Sequence, residues 1–181
     1  MSSHHLNEGF HFNRMWSWIG IIVVSALSIP LHFIYEWSGQ LTIVGMFAPI
    51  NESIWEHQNL VFWPLLIWWG VGYLLFHRKK NLSLTPWLVA MSASILISML
   101  FIISWYYVLN GAFELETSLT NIASIFIAVP LGQMIGIHIY RVIQPRPIYR
   151  ILVILFLIIV GALFIYFTFN APDLPLFIPA T

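Results

Sequence analysis

The chain reads as an all-α integral membrane bundle of five transmembrane helices. Three observations predict this. Charged residues are 8% of the 181 positions and apolar or aromatic ones 60%, whereas a typical soluble chain carries about 25% charge. A soluble domain this small has too little interior to hide so much apolar surface. Five stretches reach the roughly 20 apolar residues that span a hydrocarbon core. Every Lys and Arg also falls on one side of the alternating path these stretches define. The length suits one domain, 1–181.

The first stretch, 15–37, follows a polar N-terminal segment, MSSHHLNEGFHFNR. Its apolar run is too long for the h-region of a cleaved signal peptide, so it reads as a retained helix. It ends at Ser38-Gly39. The second, 54–76, opens after Pro49 and Asn51, an N-cap type of residue. The third, 86–109, opens at Pro86, which suits a first helical position. The fourth, 117–140, follows the capping pair Thr117-Ser118. The fifth, 150–169, ends at Asn170, before Pro172 and Pro175. Loop 39–50 (GQLTIVGMFAPI) is too apolar to lie free in water and is expected to pack over the mouth of the bundle or dip into it.

Arg14 precedes the first helix; Arg78, Lys79 and Lys80 join the second to the third; Arg141, Arg146 and Arg150 join the fourth to the fifth. The positive-inside rule then places the N-terminus in the cytoplasm and the C-terminus outside a cell membrane. Acidic residues split the other way: Glu36, Glu52, Glu56, Glu114, Glu116 and Asp173 belong to the outer ends, and Glu8 alone to the inner. The formal net charge is zero and there is no cysteine. Nucleic-acid binding, disulfides and thiolate metal sites are excluded as functions of this composition.

Ionisable groups inside a membrane segment are costly and gather at functional sites. Here they gather in the first hairpin. His32 and Glu36 are i, i+4 on the first helix. Glu52 and Glu56 have the same spacing at the start of the second, with His57 following. Such pairs share a helix face. Two carboxylates on one face repel, and no Lys or Arg lies on that side to offset them. The histidines, the helix N-terminus, a proton or a bound cation must do so. His32, Glu36, Glu52, Glu56 and His57 are therefore candidate metal ligands, for Zn²⁺ or for a pair of Fe or Mn ions. Glu52, Glu56 and His57 are also candidate acid–base groups. The spacing matches neither HExxH nor the Glu-x-x-His pattern of di-metal bundles. A hydrogen-bonded structural network satisfies the same residues.

His138 is expected at the inner end of the fourth helix, far from His32, and His77 in the basic inner loop. His4 and His5 read as tail residues. Asn121 and Ser124 are better placed to complete the site. Gln133 reads as a bridge between helices, and Trp63, Trp68 and Trp69 as packing residues.

The segments HFIYEWSG at 32–39, VGMFAPINESIWEH at 44–57 and FWP at 62–64, with APDLPLF at 171–177, resemble those of a family of small bacterial membrane proteins known only as a domain of unknown function. The resemblance implies a bacterial cell membrane and supplies no activity. Two functional classes stay open. One is a metal- or carboxylate-dependent membrane enzyme acting near the outer leaflet on a lipid-linked ester, amide or phosphate. The other is a non-catalytic sensor, accessory subunit or ion- or proton-binding module. A transporter fits less well, since no internal repeat is visible.

Overall fold

The computed structural model describes residues 3–113 and 118–179. Its helices are α1 (Ser3–Trp37), α2 (Thr42–Gly45), α3 (Ile54–His57), α4 (Asn59–Phe76), α5 (Leu84–Phe113), α6 (Ser118–Val142) and α7 (Pro147–Phe169), followed by a 3₁₀ turn at Pro175–Phe177. Among the described residues there is no strand, only an isolated bridge between Ser53 and Pro179. Five helical spans are long and apolar enough to cross a membrane: Gly9–Trp37, Ile54–Phe76, Leu84–Phe113, Ile122–Val142 and Pro147–Phe169. The protein is a multi-pass membrane protein. On α7, Ile151, Leu152, Leu155, Ile158 and Ile159 lie exposed, as side chains facing lipid do.

α1 starts earlier than hydropathy suggests. The polar segment before Met15 continues the helix, and its Phe12 is buried against Trp16, Phe76 and Trp87. Loop 39–50 folds back with Gly45, Ala48 and Pro49 buried, and Gly45 sits tightly against Tyr35 and Ile50. The second span opens at Ser53, not Asn51. Ser53 is extended (φ −73°, ψ 155°) and its hydroxyl accepts the Glu56 N–H at 3.3 Å. Asn51 sits one step outside, its Oδ1 accepting the Ser53 N–H at 2.9 Å.

Small residues let the helices approach closely. Gly132 and Gly136 of α6 face Ser94 and Ser98 of α5, and a Cβ at either glycine would collide with those serines. The Ser98 hydroxyl lies 3.0 Å from the Ala128 carbonyl across the same seam. Between α1 and α4, Trp16 and Trp68 stack at 4.1 Å, each indole N–H donating to the other's carbonyl at 3.2 Å. Trp69 donates to Gln133 Oε1 at 3.2 Å and Trp87 to the Trp69 carbonyl at 2.9 Å. Gln133 thus bridges α4 and α6, and the tryptophans pack the core.

Pro64 lies inside α4 and has no N–H for the Leu60 carbonyl. In hydrocarbon an unpaired carbonyl is costly. The Ser28 hydroxyl of α1 stands 2.8 Å from that carbonyl, its proton shared with the Val24 carbonyl at 2.9 Å. The proline in one helix and the serine in the next are therefore a matched pair, and they hold α1 against α4 just below His32.

Candidate metal centre

His32 comes from the last turns of α1, and His57 from the first turn of the second span. They meet because Ser28 and Leu60, about one turn deeper on each helix, are already joined. The imidazole centroids are 5.3 Å apart. Glu52 precedes the N-cap and is therefore not helical. From there its Oε2 reaches 3.5 Å from His32 Nε2 and 3.6 Å from His57 Nε2. One ligand atom from each of His32, Glu52 and His57 lies within 4.8 Å of the others.

His57 is oriented for ligation. Its Nδ1 lies 2.8 Å from the Ser53 carbonyl. A carbonyl can only accept, so Nδ1 carries the proton and Nε2 presents a lone pair toward Glu52. Ligand histidines commonly hold the second nitrogen this way. The three convergent atoms are too far apart for hydrogen bonds. Both His32 nitrogens, Glu52 Oε2 and His57 Nε2 have no hydrogen-bond partner. Tetrahedral Zn²⁺ with bonds of about 2.0–2.2 Å sets its ligand atoms about 3.4 Å apart, close to the two separations from Glu52; the imidazole pair lies within 4.8 Å. The imidazoles are 8% and 1% exposed and Glu52 42%, so access is from the Glu52 side. A cavity of about 20 Å³ under His32, lined by Ser28, Leu60, Ile122 and Ile125 among others, has room for one water.

The other two expected ligands lie elsewhere. Glu36 is exposed, one turn beyond His32, where α1 outruns the start of α3. Glu56 does not share a face with Glu52, because the helix begins after Glu52. It is 2% exposed and turns toward α7. Its Oε1 accepts from the Thr168 hydroxyl at 2.9 Å, and its Oε2 from Asn59 Nδ2 at 3.1 Å and the Ile50 N–H at 3.3 Å. Asn59 in turn accepts from the Trp63 indole at 3.0 Å. Glu56 therefore ties the apolar loop, α4 and α7 together.

Asn59, Thr168 and Ser53 were not anticipated. Ser53-Ile-Trp-Glu56 is a capping-box pattern, and that signal marks Ser53 as the helix start. The box forms only in half: Asn51, not Glu56, takes the Ser53 amide, which frees Glu56 for α7. Thr168 has no local signal, because its partner is 112 residues away. Ser124 is buried on α6 beside Ile125. The side chain of Asn121 lies outside the described residues, as do those of His4 and His5 and the whole of Glu114 and Glu116. His138 is exposed. It lies 13 residues beyond Ile125 of the His32 cavity, about 20 Å along α6. His77 Nδ1 pairs with the Tyr73 carbonyl at the basic end.

No curated protein and no solved structure matches the chain. A family model matches residues 7–180, nearly the whole length. The chain belongs to that family, described as a family of unknown function, DUF6512.

Proposed function

We propose that His32, Glu52 and His57 bind a divalent metal ion, Zn²⁺ by preference, and that the protein is a metal-dependent membrane hydrolase acting on a lipid-linked ester, amide or phosphate at the extracytoplasmic leaflet. The observation that carries this reading is the convergence of three ligand atoms without hydrogen-bond partners at an end of the bundle that holds no Lys or Arg. Two imidazoles and one carboxylate are a catalytic zinc set, which leaves a fourth position for water or substrate. A metal held there would activate that water and polarise the bond to be cleaved. His57 holds its lone pair outward through Ser53, and Glu52 supplies the charge from the side open to solvent. Glu56, whose carboxylate already accepts three hydrogen bonds, positions α3 rather than touching substrate.

The enclosure of both imidazoles supports a second reading, a non-catalytic ion-binding module. Metal analysis of the detergent-purified protein, before and after loading with Zn²⁺, tests the shared premise. About one metal per chain is expected, lost in His32→Ala and His57→Ala. Absence of metal at saturating Zn²⁺ would falsify both readings. Metal retained without turnover of any lipid ester, amide or phosphate separates the module from the enzyme.

A further inference from the structure

One side of the α1–α4 seam is not smooth. Between the two helices lies a groove of about 360 Å³. Pro30 and Leu31 of α1 form one wall, Trp63, Pro64 and Trp68 of α4 the other, and Phe47 of loop 39–50 reaches it from the His32 end. The groove opens where both helices carry an internal proline. Its lining spans residues 27–34 of α1 and 63–71 of α4, about 10 and 12 Å of helix. Leu27 and Ile67 belong to that lining and stand exposed, so the groove is open to the bilayer. α6, which helps to line the cavity under His32, contributes nothing to it.

The walls are held in place from within the protein. Trp68 stacks on Trp16 at 4.1 Å and donates its indole N–H to the Trp16 carbonyl at 3.2 Å. Trp63 donates to Asn59 Oδ1 at 3.0 Å, and Phe47 meets its ring edge-on at 4.9 Å. Both indole N–H groups are thus bonded inside the bundle, and scarcely a polar atom lines the groove.

That chemistry selects the occupant. Water needs several polar partners, and the lining offers almost none. Left empty, the walls would forfeit dispersion contacts. One membrane helix approaches another through Gly, Ala, Ser or Thr, and none of these lines the groove. A helix is also about 10 Å across, as wide as the groove is long. A hydrocarbon chain is thin and flexible and needs no polar partner. At this depth the bilayer supplies it, as the acyl chains of its phospholipids.

We propose that the α1–α4 groove binds one acyl chain of a bilayer phospholipid, with the polar end of that lipid beyond Ile34 at the membrane surface. Hydrocarbon gains nothing by leaving hydrocarbon. The groove therefore holds its chain in preference to neighbouring lipid by close packing against walls already fixed. No metal takes part, and the site is independent of the hydrolase reading.

The test is the protein purified in dodecyl maltoside through repeated detergent exchange, with bound lipid identified by native mass spectrometry and counted by phosphate analysis. Wild type is expected to retain about one phospholipid per chain, with or without EDTA, as a single groove allows. Leu27→Trp and Ile67→Trp enlarge exposed positions, so they fill the groove without entering the core. Each should cut retention about fivefold or more by removing the chain's contacts. Ile158→Trp, equally exposed but on α7, should leave retention unchanged. Should one groove variant fold poorly, the other decides. Wild type without bound lipid, or retention lost equally in Ile158→Trp, overturns the proposal. So does an isoprenoid lipid or a second copy of the chain in place of the phospholipid. Phospholipid retained by a protein that binds no metal supports the groove and counts against the hydrolase alone.

Discussion

Two glutamates four residues apart, Glu52 and Glu56, have opposite surroundings. Glu52 is 42% exposed, and its Oε2 has no hydrogen-bond partner beside two imidazoles. Glu56 is buried and accepts from three separate segments. Their substitution should therefore separate binding from stability. Glu52→Gln removes the only carboxylate of the ligand set and is expected to weaken zinc affinity by about tenfold or more, with little change in the thermal midpoint. Glu56→Ala leaves the Ile50 amide, Asn59 and Thr168 without their acceptor, each loss costing about 1–3 kcal/mol. It should lower the melting temperature clearly while the metal content of the folded fraction persists. Thermal melts in detergent and metal analysis on the same preparations check both. Equal melting temperatures for the two variants would show that the Glu56 bonds do not hold the bundle.

At the scale of helices, the pairing of α1 with α4 depends on a defect. Pro64 strands the Leu60 carbonyl and Ser28 answers it. Ser28→Ala is expected to destabilise by about 1–2 kcal/mol, the usual cost of an unmet buried carbonyl. In a Pro64→Ala background the helix supplies its own N–H and the same Ser28→Ala change should cost less. A double-mutant cycle measures the coupling, and additive effects would refute the pairing. The α5–α6 seam gives a simpler expectation. Gly136→Leu forces a side chain into Ser94 and the backbone at Ala90, so folded yield should fall severely. Pro64, Ser28 and the two glycines were all visible in the chain, but their meaning was not. Periodicity tells which face of a helix is buried, not which residue on another helix meets it.

For the molecule as a whole, the five spans were legible because hydropathy reports them directly. The ends were less so. Residues 3–14 are helical without an apolar signal, and the capping box at Ser53 is what separates Glu52 from Glu56. His32 and His57 were legible as residues of neighbouring helix ends, since consecutive helices usually pack side by side; Thr168, reached only through the return of α7, was not. The five crossings also carry a topology. All seven Lys and Arg cluster at one end: Arg14 near the start of α1, 78–80 between α4 and α5, Arg141 at the end of α6, Arg146 and Arg150 at the start of α7. The other end holds the His32–Glu52–His57 cluster and no Lys or Arg. Short basic loops are retained on the cytoplasmic side. The N-terminus should therefore be cytoplasmic and Thr181, with the His32–Glu52–His57 centre, extracytoplasmic. C-terminal fusions check this: a reporter active only outside the cytoplasm should work after Thr181 and after Gln40, and fail after Lys80. Activity after Lys80 alone would invert the protein and move the proposed metal chemistry to the inner leaflet.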